Sequence, residues 1–288
     1  MADWQPGPGE GGGFRRRRRL RIRLREGSRL NRLPARSLLP NILTTLALCS
    51  GLTSIRFALE GKFELAVAAI MLAGLFDGMD GRVARLLKGT SRFGAELDSL
   101  SDFLSFGVAP VVLLYLWALQ DFSGLGWIAA MSHAVCCALR LARFNVAIDD
   151  PDKPVWASNF FTGVPSPAGA GLVLLPVVLS FSLGDVPFRS PYLVSVVAIG
   201  VAFLMVSRLP TPSFKRIKIH RDWVLPTLVF VGIGTAVALS YPWQVLGAMI
   251  LAYALTIPFG PWSYKRAERR AAERAAADVV VAEETPKV

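Results

Sequence analysis

An all-α, polytopic integral membrane bundle of about eight transmembrane helices is the fold class this sequence predicts, and three observations predict it. The chain is apolar for its size, with 53% of its 288 residues hydrophobic and a mean hydropathy of +0.45. Its apolar residues fall into runs of about 18 or more, each long enough to cross a hydrocarbon core roughly 30 Å thick. Its positive charges gather at the N-terminus and between alternate runs, as positive-inside loops do.

In chain order, residues 1–37 are rich in Gly and Pro and then in Arg, with Arg15 to Arg19 followed by Arg21, Arg23 and Arg25. Such a segment cannot bury a core and is expected to be disordered. Its arginines set topology or rest on anionic headgroups at about 1 kcal/mol per charge. It lacks the apolar centre of a signal peptide. A transmembrane catalytic domain is expected over 38–262, with runs at approximately 38–59, 63–86, 93–119, 124–146, 165–183, 191–209, 223–241 and 243–260. Eight crossings put both termini on one side, and the connections then sort by charge. One set holds only Lys62 and Arg189, with Arg56 near the end of the first run. The other holds Arg82, Arg85, Lys88 and Arg92, then Arg140 and Arg143, then Arg208, Lys215, Arg216, Lys218 and Arg221, then Lys265 and Arg266. The second set marks the cytoplasmic face of the cell (inner) membrane, with both termini cytoplasmic. Residues 263–288 read as a cytoplasmic tail that extends the last helix and then frays.

The net charge of +11 does not point to nucleic acid, because the basic residues lack the interleaved aromatics of such a surface. Cys49, Cys136 and Cys137 all fall in apolar runs, without disulfide or zinc spacing.

The chemistry is concentrated in one stretch, LFDGMDGRVARLLKGTSRFGAELDSLSDFLSFGVAP, from Leu75 to Pro110. It places Asp77, Asp80, Asp98 and Asp102 in an apolar setting. An ionised Asp at the bilayer centre costs about 2.5–3.5 kcal/mol, so four without compensation would cost on the order of 10 kcal/mol. They must lie near the interface, face a wet cavity or bind cations. At about 100° per residue, Asp77 and Asp80 share one helical face, and Asp98 and Asp102 share another. Two helices joined by a short turn at Leu87 to Arg92, with Gly89 as its breaker, would present all four into one pocket. Oxygen donors without nearby His or Cys suit Mg²⁺ or Mn²⁺ rather than zinc. Four carboxylates suit two ions about 3.5–4 Å apart that clamp a phosphoryl group. Gly81, Ala84 and Gly94 leave room for a ligand against the backbone, and Arg85 can pair with its phosphates. Acidic residues in membrane helices also occur in cation-coupled transporters, but the glycines and Arg85 at fixed offsets favour a phosphate ligand.

The pattern Asp77-x2-Asp80-Gly81-x2-Ala84-Arg85-x8-Gly94-x3-Asp98-x3-Asp102 resembles, at every position, the signature of the CDP-alcohol phosphatidyltransferase family. The resemblance implies transfer of a phosphatidyl group from CDP-diacylglycerol, or a related CDP-linked donor, to an alcohol, with release of CMP. It implies that Asp77, Asp80 and Asp98 bind metal, that Asp102 touches the second metal and acts as general base, and that Gly81, Ala84, Arg85 and Gly94 hold the CDP moiety. A homodimer is implied as well.

Four further stretches, PNILTT from Pro40, ALRLARFNV from Ala138, NFFTGVPSPAGAG from Asn159 and VSRLPTPSFK from Val206, are similar to the bacterial phosphatidylserine synthase branch, in which the acceptor is L-serine. A zwitterionic amino acid needs a cation for its carboxylate, and Arg140 and Arg143, with Asn145 just beyond, are the candidates. They are equally readable as topology or headgroup residues, and a phosphorylated acceptor such as glycerol 3-phosphate or inositol phosphate would also want arginines. Choline is a further sister acceptor. Asn41 and Thr44 lie on one face at the start of the first run and could reach the nucleotide, or be plain interfacial residues. The family resemblance implies an Asn further along this run, where this chain has Ala47, so the resemblance carries no contact over to that position. His133 reads as a core residue, His220 as part of a basic loop, and Pro165 and Pro167 as breakers before the fifth run.

Overall fold

The computed structural model describes residues 35–87, 91–148, 160–212 and 223–264, with 266 and 269. The basic segment 1–34, the turn at Gly89, His220 with its basic loop, and most of the tail lie outside the described residues. Eight long helices occur among the described residues, one for each apolar run: α1 (Ala35–Leu59), α2 (Phe63–Leu87), α3 (Arg92–Leu119), α4 (Ser123–Ile148), α5 (Ser166–Leu183), α6 (Pro191–Val206), α7 (Val224–Ser240) and α8 (Pro242–Thr256). A single turn, Asp185–Phe188, lies between α5 and α6. Among the described residues the architecture is all-helical apart from one short antiparallel pair, β1 (Phe160–Thr162) and β2 (Pro210–Pro212), in the register Phe160 with Pro212 and Thr162 with Pro210.

Five of the described helices are both long and apolar enough to cross a membrane: Leu38–Leu59, Arg92–Leu119, Gly124–Val146, Ser166–Leu183 and Pro242–Tyr264. Pro191–Val206 and Pro226–Ser240 are apolar but shorter. α2 is long but carries Glu64, Asp77, Asp80, Arg82 and Arg85. Large apolar side chains such as Leu72, Leu139, Phe203 and Phe230 point outward, the arrangement that lipid rather than water tolerates.

The centre of the bundle is α3. Phe106, Leu113, Leu114 and Leu119 are among its fully buried side chains. Around it pack α1, α2, α4, α5 and α6. α7 packs principally on α8 and stands at the edge. α1 and α2 form the tightest pair, joined by a turn in which Gly61 takes the left-handed conformation (φ 72°) that a glycine adopts without steric cost. The Gly61 N–H donates to Ala58 O at 3.0 Å and the Lys62 N–H to Phe57 O at 2.9 Å, which closes the helix end. Lys62 and Arg56 both donate to the Glu60 carboxylate in this turn, Lys62 at 2.7 Å and Arg56 at 2.9 Å, and together hold its pKa below the ordinary value.

α3 is not a uniform α-helix. It widens into π-helix at Phe103–Val108 and again at Tyr115–Leu119. The first π segment begins at the residue after Asp102 and closes with the Ala109 N–H on Leu104 O. Such segments are rare and recur at functional sites. Here the widened turn offers the Phe106 carbonyl to His133, whose Nε2 lies 3.0 Å away. His133 is therefore a fully buried residue that ties α4 to α3, as its apolar setting predicts.

Candidate active site

On α2, Ala66, Ile70 and Ala73 are buried at alternating steps of four and three, and the same stripe continues through half-buried Asp77 to buried Asp80. The helix that buries its alanines against the bundle is thereby bound to turn both carboxylates inward. On α3, Ser91 caps the N-terminus, its Oγ accepting the Gly94 N–H at 3.0 Å. The following turns are pressed against α1: Ser101 Oγ donates to Thr44 O at 3.2 Å and Ser105 Oγ to Ala47 O at 3.3 Å. Gly51 on α1 makes this approach possible, since a Cβ there would collide with Ser105 Oγ. These contacts fix the faces on which Asp98 and Asp102 stand.

Asp77, Asp98 and Asp102 each bring a carboxylate oxygen to within 4.8 Å of the other two. Asp80 is turned toward α1, where its Oδ2 accepts a 2.6 Å hydrogen bond from the buried Thr44 hydroxyl. Asp98 lies between the two arrangements, within electrostatic reach of both Asp80 and Asp77. The four acids therefore converge, with three in one cluster and Asp80 to its side. A step of three residues falls about 60° short of a full turn, enough to send Asp80 toward α1 and Asp77 toward the acids of α3.

None of the ion pairs found among the described residues involves these acids; those pairs are Arg56–Glu60, Lys62–Glu60 and Arg189–Asp185. Arg140 of α4 comes near enough to Asp77 and Asp102 to interact with both, without a direct bridge. A half-buried group of carboxylates that makes no salt bridge among the described residues fits a hard divalent ion, and the Thr44 hydroxyl on Asp80 is placed where an outer-shell hydrogen bond would orient a ligand.

Beside the acids opens a cavity of about 210 Å³ between α1, α2 and α3. Its lining contains Asn41, Thr44, Asp80, Gly81, Ala84, Arg85, Gly94 and Asp98, so the six residues expected to hold the nucleotide meet in one place. The glycines differ in what they do. A Cβ at Gly81 would meet nothing within 4 Å, whereas one at Gly94 would lie 2.8 Å from Asn41 Oδ1 and 3.1 Å from Ser91 Oγ. Gly81 thus leaves open space, and Gly94 seats Asn41 against the start of α3. Arg85 stands exposed at the mouth, its Nε donating to Gly81 O at 2.9 Å.

The three residues expected around the acceptor are not grouped alike. Arg140 faces the acid cluster and donates from Nη1 to Ser166 Oγ on α5. Arg143 donates to the last carbonyls of α6, Val206 O at 3.0 Å and Ser207 O at 3.2 Å, and Asn145 donates to Ser99 Oγ at 2.9 Å. The three side chains therefore bond to different partners, and Arg140 is the one beside the acids. Ser166, the partner of Arg140, lies between Pro165 and Pro167, which the sequence marks only as breakers. A second, apolar cavity of about 440 Å³ runs between α2, α5 and α8, bounded by Leu75, Pro167, Leu174, Leu246 and Tyr253.

Comparison with known proteins agrees with this geometry. Residues 37–207 match the family profile described as CDP-alcohol phosphatidyltransferase, and residues 222–258 match a second, described as CDP-alcohol phosphatidyltransferase 2. The chain is 37% identical over 250 residues, 83% of its length and 87% of the relative's, to a protein of Mycobacterium tuberculosis named CDP-diacylglycerol–serine O-phosphatidyltransferase. Proteins of the same name from Mycobacterium leprae and Helicobacter pylori are 38% identical over 231 residues (80% of this chain, 77% of the relative) and 34% identical over 222 residues (76% and 88%). With that profile covering more than half of its length and these relatives most of it, this chain belongs to the CDP-alcohol phosphatidyltransferase family.

Proposed function

We propose that the chain transfers the phosphatidyl group of CDP-diacylglycerol to the hydroxyl of L-serine, giving phosphatidylserine and CMP in phospholipid biosynthesis. The observation that carries the acceptor is the 37% identity, across 83% of the chain, to a protein named for that reaction. The geometry supports the chemistry. The serine oxygen attacks the phosphorus that bears the diacylglycerol, the bond from that phosphorus to the bridging pyrophosphate oxygen breaks, and CMP leaves with the electron pair. Asp102 accepts the hydroxyl proton, help worth typically 10²–10⁴-fold. Two ions, Mg²⁺ or Mn²⁺, held by Asp77, Asp80, Asp98 and Asp102, would supply Lewis-acid polarisation of the pyrophosphate and charge neutralisation.

The chain's own residues do the rest. Gly81 and Ala84 admit the nucleotide to the cavity between α1, α2 and α3. Asn41 and Thr44 line its α1 side, Gly94 holds Asn41 in place, and Arg85 meets phosphate at the mouth. Arg140 takes the acceptor's carboxylate, while Arg143 and Asn145 brace the helices beside it. Positioning of donor and acceptor supplies a large part of the rate, because phosphoryl transfer is sensitive to alignment.

Residues 38–262 form the transmembrane catalytic domain, crossing the cell membrane eight times. The basic segment 1–37 and the tail 263–288 lie in the cytoplasm, and the acids open to that side, as the sorted positive charges favour. The acyl chains stay in the bilayer, and the protein works as a homodimer. The test is an acceptor panel with purified protein and CDP-diacylglycerol. Serine-dependent CMP release with phosphatidylserine as product is expected. CMP release only with glycerol 3-phosphate, inositol phosphate or choline would assign a sister reaction.

A further inference from the structure

Ser166 opens α5 between Pro165 and Pro167, is fully buried, and accepts a hydrogen bond from Arg140 Nη1. Cys137, also fully buried and packed on α3 beside Gly107, is its neighbour on the other side. The proposed reaction gives Ser166 no task, yet a serine hydroxyl enclosed in an apolar bundle is costly unless its partners require it.

Arg140 has one anchored end and one edge without a hydrogen bond. Its Nε is buried and makes no hydrogen bond, and the Phe144 ring lies 5.9 Å from its guanidinium carbon. A guanidinium is a rigid planar fork, so fixing Nη1 fixes the direction of every other N–H. The edge that Ser166 does not use, Nε with Nη2, is the one that takes a carboxylate through two parallel hydrogen bonds. A buried donor without a partner costs about 1–3 kcal/mol, which an incoming carboxylate relieves. The nucleotide is not the group for this edge, because its cavity is lined from α1, α2 and α3 and contains neither Arg140 nor Ser166.

We propose that Ser166 is a positioning residue for the acceptor: by holding Nη1 of Arg140 it keeps the Nε edge turned to the carboxylate of the amino acid. This rests on the serine reading above. Ser166 touches no substrate and acts only through Arg140.

The experiment is steady-state kinetics of full-length protein in lipid nanodiscs with CDP-diacylglycerol and serine. Ser166→Ala is expected to raise the KM for serine about tenfold, the equivalent of one charge-assisted hydrogen bond. The kcat should fall by less than about threefold and the KM for CDP-diacylglycerol stay within about twofold. In an Arg140→Lys background the same substitution should add no further rise, since its effect passes through the guanidinium. An unchanged serine KM, an equal loss toward both substrates, or additivity in the double variant overturns the proposal. Should the Ala variant not assemble, Ser166→Cys keeps the volume, weakens the acceptor and carries the same expectations. Wild-type protein that turns over without any need for serine overturns the parent reading instead, so the two failures are told apart.

Discussion

The sides of the site proposed for the donor and for the acceptor are built in opposite ways. The donor cavity and the acids come mostly from one stretch of chain, Asp77 to Asp102, folded as two neighbouring helices and completed by Asn41 and Thr44 of α1. The acceptor side is assembled from side chains far apart in sequence, Arg140 on α4 and Ser166 on α5, with Tyr253 of α8 near Arg140. A local hairpin of helices holds its spacing through its own geometry and tolerates little change. A site gathered from separate helices can be altered by moving one of them.

The largest effect that tests this contrast is expected at Asp98, the acid shared by the carboxylate cluster and the nucleotide cavity. Asp98→Asn should lower CMP release by on the order of 10³-fold or more, because it weakens a phosphate clamp rather than one contact. Chelation of divalent ions should do the same to wild type, with recovery on adding back Mg²⁺ or Mn²⁺. Retained activity under either treatment would remove the metal from the mechanism. Next comes Arg140→Ala, which should cost about 10²-fold in kcat/KM for serine with a far smaller change for CDP-diacylglycerol. An equal loss toward both substrates would dissolve the distinction between the two sides.

The same contrast governs what was legible in the sequence. Among the described residues each apolar run becomes a helix, five of them long and apolar enough to cross a membrane, because satisfying the backbone within a helix is a local demand. The donor residues could be read because Asp77, Asp80, Gly81, Ala84 and Arg85 lie within three turns of one helix, where spacing is geometry. Ser166 could not, since its partner is contributed by a different helix and no periodicity encodes that meeting. The π segments of α3 also left no mark: Phe103–Val108 reads as an ordinary apolar run, and its widening depends on contacts such as His133 with Phe106 O. The separation of Asp80 from the other three acids is a matter of tens of degrees on a helix. It became visible only with Thr44 in place.

An intermediate effect should split the two glycines of the signature. Gly81→Ala places a methyl in open space beside the nucleotide. The protein should keep its thermal midpoint while the KM for CDP-diacylglycerol rises about tenfold, as expected for a ligand displaced from the backbone. Gly94→Ala drives a methyl against Asn41 and Ser91. It should destabilise by about 1–3 kcal/mol, the usual cost of overpacking. Thermal denaturation followed alongside donor kinetics separates them. Equal stability losses in both variants would mean that Gly81 is a packing residue too.

The smallest effect on catalysis is expected at Arg143, only three residues from Arg140. Its guanidinium spans the end of α6, donating to Val206 O and Ser207 O. A cation on the carbonyls of a helix C-terminus stabilises by about 0.3–1 kcal/mol through the dipole, and its charge-assisted hydrogen bonds add to this. Arg143→Gln should therefore lower the thermal midpoint while leaving the KM for serine within about twofold. A large rise in serine KM at unchanged stability would instead put Arg143 on the acceptor beside Arg140. The acceptor side would then be as densely built as the donor side, and the two regions would no longer differ in kind.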